Sequence, residues 1–147
     1  MKLAEKGRDA PPPPLPPAAE RVCEAIAHWP GVHARTHWRL GDDRVADGAD
    51  FYLGQEELGH IHLESEAHVA LGSALAGSVI KAGLARRFPW SREFAVFQIA
   101  DRAAEAHALW LFELSYERRR GLAPAELSAR IREYVERAAS GPLRTRA

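Results

Sequence analysis

The sequence predicts an α+β domain in which helices cover one face of a mostly antiparallel sheet of four to five strands. Three observations lead there. Stretches with apolar residues at helical spacing open and close the chain. Between them lie short runs rich in aromatic and β-branched residues, separated by turn formers such as Gly41-Asp42-Asp43 and Asp47-Gly48. The resulting order is one helix, three or four strands, a helix, a strand and two helices, which suits helices packed on one side of an antiparallel sheet.

The elements follow in order. Residues Met1 to Pro17 hold Pro11 to Pro14 and Pro16-Pro17 and read as a disordered, polyproline-II-like leader. Its Arg8-x-x-Pro11-x-x-Pro14 matches the pattern read by SH3 grooves, although a stiff linker accounts for it as well. From Ala18 to Trp29, Val22, Ala25, Ile26 and Trp29 form a helical stripe that Pro30-Gly31 stops. Val32 to Leu40, Asp50 to Leu53 and Glu57 to Leu63 read as a three-stranded meander, and Ala67 to Leu71 as a further extended segment. Ser73 to Ala82 is helical, with Leu75, Val79 and Ile80 on one side and Gly83 as its stop, and Phe94 to Ile99 is a strand. Asp101 caps a long helix through Arg120 whose apolar residues nearly encircle it, as expected of a central packed helix. Pro124 opens a last helix striped by Leu127, Ile131, Tyr134, Val135 and Ala138. The single domain therefore spans residues 18–139, and residues 140–147 form a flexible tail.

Composition narrows the function. The 147 residues carry 20 Lys+Arg against 20 Asp+Glu, so the excess of positive charge that non-specific nucleic-acid binding requires is missing. The longest stretch without charge or histidine, Val69 to Ile80, is far short of the ~20 apolar residues of a membrane span. Neither nucleic acid nor membrane is expected as a partner, and a cytoplasmic location is. Cys23 is the sole cysteine, which removes disulfide frameworks, all-cysteine zinc sites and CxxC redox pairs. It lies beside the apolar stripe of the first helix and reads as a buried, inert thiol.

The densest polar constellation is Glu56-Glu57-Leu58-Gly59-His60-Ile61-His62, followed by Glu64, Glu66 and His68. On a strand His60 and His62 share a face, a geometry that lets two imidazoles reach one metal. Whether His68 joins them depends on the turn. A two-residue turn at Glu64-Ser65 pairs it with Ile61 on the other face, whereas a three-residue turn pairs it with His62. If His60, His62 and His68 converge, a divalent metal such as zinc can activate water, with Glu56, Glu57 or Glu64 as supporting groups or general base. The bland alternative is a pair of hydrogen-bonded strand histidines. His62-Leu63-Glu64 fits the H-x-E of zinc deaminases, but the P-C-x-x-C that must accompany it is absent from the sequence. His33 and His37, four apart on a strand, stand about 13 Å from one another and cannot jointly ligate one ion. Gly72-Ser73-Ala74-Leu75-Ala76-Gly77 lacks both P-loop and dinucleotide-loop spacing, and Arg86-Arg87-Phe88-Pro89-Trp90 reads as a solvated loop anchored by Trp90.

Taken together, Glu57-Leu58-Gly59-His60-Ile61-His62, the Ala82-Gly83-Leu84-Ala85 turn, Trp90, Phe97-Gln98-Ile99 and Leu114-Ser115-Tyr116-Glu117-Arg118 resemble the small luciferase-domain family over about Trp29 to Arg120. The resemblance implies an α+β domain centred on the histidine strand. It implies neither flavin-dependent nor luciferin-dependent light emission, and no particular reaction. One departure is Phe88-Pro89-Trp90-Ser91, which stands where many relatives are expected to carry another histidine.

Two readings of function follow. The first is a ligand-binding or interaction module, taking a small molecule or a protein partner, with Glu57, His60, His62, His68, Trp90 and Tyr116 as candidate ligand contacts. The second is a metal-dependent hydrolase or oxygenase with His60, His62 and His68 as metal ligands. A homodimer through the apolar stripes of the C-terminal helices is compatible with either.

Overall fold

A computed structural model describes residues 7–140. Its elements are α1 (Pro17–Ala27), β1 (Val32–Arg39), β2 (Asp42–Leu53), β3 (Glu56–His62), β4 (Glu66–Ala70), α2 (Ser73–Lys81), β5 (Arg86–Arg87), β6 (Phe94–Gln98), α3 (Glu105–Arg119) and α4 (Pro124–Ser140). The six strands form one antiparallel sheet in the order β1-β2-β3-β4-β6-β5. The α+β architecture with an N-terminal helix and two C-terminal helices is as the sequence predicts.

Differences from the expected strands have local causes. The Asp47-Gly48 turn does not form: β2 runs unbroken through it, and the chain reverses one step earlier, at Leu40-Gly41, where Arg39 pairs with Asp42. Irregular register around Trp38 absorbs the mismatch. The sixth strand is the two-residue β5, in the segment expected as loop, where Arg86 and Arg87 pair with Val96 and Ala95. Asp101 does cap, its carboxylate accepting from the Ala104 N–H at 3.1 Å, but it opens a single 3-10 turn, Arg102–Ala104, ahead of α3.

All four helices contribute to one apolar core on one side of the sheet. Ala19, Val22, Cys23 and Ile26 of α1 and Ala108, Leu111 and Phe112 of α3 meet Ala49, Phe51, Leu58, Ile61, Ala67, Val69 and Ala95 from the strands. Phe112 meets Phe51 edge to face at 5.7 Å, a favoured aromatic geometry. Cys23 is buried there, and burial pushes its thiol up to about 12, which fits the inert role expected of it.

The closing residues of the family-like pattern serve this packing. Ser115 Oγ–H lies between two acceptors, the carbonyls of Leu58 at 2.9 Å and Ala70 at 2.7 Å, and so pins α3 to the ends of β3 and β4. The Tyr116 hydroxyl donates to the Pro30 carbonyl at 2.6 Å, and its ring packs on Trp29.

The described part of the leader, residues 7–16, is tied along the outer edge of β1. The Thr36 N–H donates to the Ala10 carbonyl at 2.7 Å, the Thr36 hydroxyl donates to the Pro11 carbonyl, and Arg35 Nη2 donates to the carbonyls of Gly7 and Arg8. The leader thereby satisfies polar groups that an edge strand would otherwise present to solvent or to another chain. Residues 1–6 and 141–147, which hold the start of the leader and the expected tail, lie outside the described residues. No helix among the described residues is long and apolar enough to cross a membrane.

Candidate metal centre

Strand parity decides which side chains share the face opposite the helices. In β2 and β3 the register pairs Gly48 with His62, Ala49 with Ile61, Asp50 with His60 and Phe51 with Gly59, then jumps so that Tyr52 opposes Glu57. That jump is a β-bulge: two residues of β3 oppose one of β2, and the alternation of the strand shifts by one. Leu58 thereby turns to the helix side with Ile61, and Glu57 joins the histidine side, where it accepts from His60 Nδ1–H at 2.8 Å. Strict alternation would have put Leu58 on the face of His60.

Gly59 makes the bulge compatible with the core. Its φ is +150°, and a Cβ there would stand 2.5 Å from the His68 carbonyl oxygen and 2.7 Å from Phe112 Cε1. The position has space for a hydrogen only. Gly48 is the second constrained glycine, with φ +147° and the Ile61 carbonyl oxygen 2.0 Å from where a Cβ would lie. Gly48 pairs with His37 of β1 on one side and with His62 of β3 on the other, so no side chain of β2 stands between these two imidazoles.

The β3–β4 turn takes neither of the two registers weighed from the sequence. Leu63, Glu64 and Ser65 form it, Ser65 at φ +74° and its N–H donating to the His62 carbonyl at 2.9 Å, and His68 pairs with His60. The parity is that of the three-residue alternative, so His68 lies on the face of His60 and His62.

Four histidines therefore gather on the face opposite the helices, their side chains largely buried. His37 and His60 stack with ring centroids 3.9 Å apart, His62 meets both edge-on at 5.2 and 4.9 Å, and His68 lies 4.5 Å from His62 and 4.9 Å from His60. Each is tied to its own carboxylate: His37 Nδ1 to Asp50 at 3.1 Å, His60 Nδ1 to Glu57 at 2.8 Å, His62 Nδ1 to Asp47 at 3.0 Å, and His68 Nε2 to Glu66 at 2.7 Å. Tyr52 Oη–H donates to the same Asp50 oxygen at 3.2 Å, and burial together with the Asp50 charge raises the phenol far above its ordinary range. Burial pushes the His68 imidazole below its ordinary value, helped by His60 and His62 and opposed by Glu66. The Glu66 carboxyl is lowered, chiefly by its hydrogen bond from His68.

One nitrogen each from His37, His60 and His62 lie within 4.8 Å of one another, and His37, Asp50, Glu57 and His60 form a second such group. Two nitrogens bound to one zinc at about 2.1 Å stand at most about 4.2 Å apart, so the three nitrogens are near the spacing one ion requires, and the parallel His37 and His60 rings would have to turn toward each other to share it. This group of histidines and carboxylates could hold a metal. A carboxylate on Nδ1 fixes the tautomer that leaves the Nε2 lone pair for a metal and raises its basicity.

The expected residues thus separate. Glu57, His60, His62 and His68 come together, although His68 stands beside the compact trio. Tyr116 lies in the helix-side core. Trp90 is 85% exposed on the loop after β5. From the same loop Phe88 packs 4.8 Å from His68 and 6.0 Å from Phe94, so the Phe88-Pro89-Trp90-Ser91 segment gives the site an aromatic wall. Sequence reasoning missed His37, Asp47 and Asp50. It rightly kept His37 from sharing an ion with His33, which instead bonds Asp9 at 2.9 Å. The signal available was parity across the first hairpin, which puts His37 next to a glycine and one strand from His62.

A family model described as Luciferase domain matches residues 55–115, a narrower stretch than the Trp29 to Arg120 of the sequence resemblance. The segment includes His60, His62 and His68, and His37, Asp47 and Asp50 come from outside it. No curated protein and no solved structure matches the chain.

Proposed function

We propose, from a chain whose residues 55–115 match the Luciferase domain, that the histidine face of the sheet is a mononuclear transition-metal centre and that the protein is a small metal-dependent domain. One observation carries this reading: three imidazoles from three positions in the sheet converge, each backed by its own carboxylate. A carboxylate is one of the partners that hold the second ring nitrogen of metal-ligating histidines, and here it accompanies convergence of the three rings. Imidazole donors suit zinc, copper, iron and nickel.

Three protein ligands leave a position for water or a small-molecule substrate, which favours metal-assisted hydrolysis or oxygenation over a purely structural ion. His37, His60 and His62 would hold the ion and Asp50, Glu57 and Asp47 would orient them, while Phe94 packs beside His60 and Phe88 beside His68. A bound metal supplies Lewis-acid activation of that ligand. The alternative of a metal-free interaction module leaves the four carboxylate–histidine pairs without a common purpose.

Metal content of the purified protein, measured by mass spectrometry after exhaustive dialysis, tests this. Near-stoichiometric metal in the wild type, lost in His60→Ala/His62→Ala, is expected. A wild type that holds no metal, takes none up on reconstitution and matches the variant in stability overturns it.

A further inference from the structure

A second constellation lies on the helix side, apart from the histidines. Between α2, the end of α3 and the start of α4 there is a groove of about 450 Å³. Leu71, Leu75, Leu122 and Leu127 line it with apolar surface, and Arg118 lines it with a cation. The volume falls within the ordinary range of small-ligand sites.

Arg118 is held in an unusual way. Its guanidinium lies on Gly72, where a Cβ would stand 2.6 Å from Nη2, and its Nη1 is buried with no hydrogen-bond partner. Burial and the neighbouring Arg119 depress this group, with the charges of Glu93 and Glu56 opposing. Arg118 as a whole is half-buried and lines the groove, so an anion there pairs with the part of the guanidinium that the groove reaches, by a charge-assisted hydrogen bond. Gly72 also begins α2, whose N-terminus has no side-chain cap and no acidic residue in its first turn. The local field there is positive as well.

We propose that this groove binds a small amphiphilic monoanion, an aliphatic carboxylate whose head pairs with Arg118 and whose tail lies along Leu71, Leu75, Leu122 and Leu127. One cation and four leucines fit one negative head and one apolar tail. A nucleotide or another polyanion would call for several cations. The site is independent of the metal reading, because it uses none of the histidine face.

Calorimetric titration of the metal-free full-length chain with octanoate, octan-1-ol and octylamine tests the proposal. Octanoate is expected to bind saturably, one per chain, with octan-1-ol at least about tenfold weaker and octylamine not binding, as loss of a charge-assisted contact predicts. Arg118→Met, checked for fold by circular dichroism, should weaken octanoate by about tenfold or more. Because Arg118 also packs on Gly72, Ser78→Trp provides a second test: Ser78 is an exposed α2 position that lines the groove, and a tryptophan there fills it. No saturable octanoate binding by the folded wild type, equal binding of octanoate and octan-1-ol, or undiminished binding in a folded Arg118→Met or Ser78→Trp variant overturns the proposal.

Discussion

The imidazole of His37 lies face to face with that of His60, centroids 3.9 Å apart and planes 7° from parallel, although β2 separates their strands. The approach is possible because β2 carries Gly48 at the crossing, and Asp50 and Glu57 hold the two rings from their Nδ1 sides. His37 is therefore expected to act as a metal ligand although it lies outside the matched 55–115 segment. His37→Ala should lower metal affinity by at least about 100-fold, beyond the effect of losing a supporting group alone. His33→Ala, on the same strand but paired with Asp9, should leave affinity unchanged. Competition against a chromophoric chelator measures both, and equal effects would remove His37 from the ligand set.

Gly59 links the core to the site. A Cβ there meets the His68 carbonyl and the Phe112 ring together, and φ +150° adds backbone strain. Gly59→Ala should cost about 3 kcal/mol, in the range of overpacking plus a strained backbone. Urea denaturation checks this. The same variant should displace His60, its immediate neighbour, and so weaken metal binding in whatever fraction remains folded.

The leader along β1 makes a different prediction. Deleting residues 1–12 removes the acceptors of the Thr36 N–H and hydroxyl, of Arg35 and of Trp38 Nε1. At about 0.5–1 kcal/mol net for each of these five bonds, a loss of about 2–5 kcal/mol is expected. The bared edge should also pair with another copy. Light scattering across a concentration series detects the resulting dimer, and a truncated chain that stays monomeric with unchanged stability would show that the leader does not protect the edge.

Much of the fold was legible because it rests on local signals: apolar spacing gave the helices, and Pro30-Gly31, Gly83 and Gly121 marked their ends. The histidine strand was legible because alternation alone puts His60 and His62 together. What escaped depends on pairing between strands. The bulge that turns Glu57 toward His60 is visible only as the three-residue spacing of Leu58 and Ile61, which strict alternation does not allow. His37 joins the site through the register of β1 on β2 and of β2 on β3, and an Asp47-Gly48 read as a turn conceals that register. Trp90 and Tyr116 were chosen by residue type within the family-like pattern, yet one is at the surface and the other helps to pack α3.

Glu57 separates a metal centre from a mere cluster of hydrogen-bonded histidines. It is buried beside His60, accepts from Nδ1 at 2.8 Å, and reaches that position only through the bulge. Glu57→Gln keeps the shape and an acceptor oxygen but removes the charge that strengthens His60 as a ligand. If His60 binds metal, affinity should fall by about 10–100-fold, while the stability of the metal-free protein stays within about 1 kcal/mol. Glu66→Gln is the matched comparison. Glu66 supports His68, which stands outside the compact trio, so its loss should change affinity much less. Chelator competition on both variants, with urea denaturation of the metal-free forms, reads the two quantities separately. A Glu66→Gln effect as large as that of Glu57→Gln would move His68 into the ligand set. A loss of stability in Glu57→Gln with no loss of affinity would make the Glu57–His60 pair a structural contact.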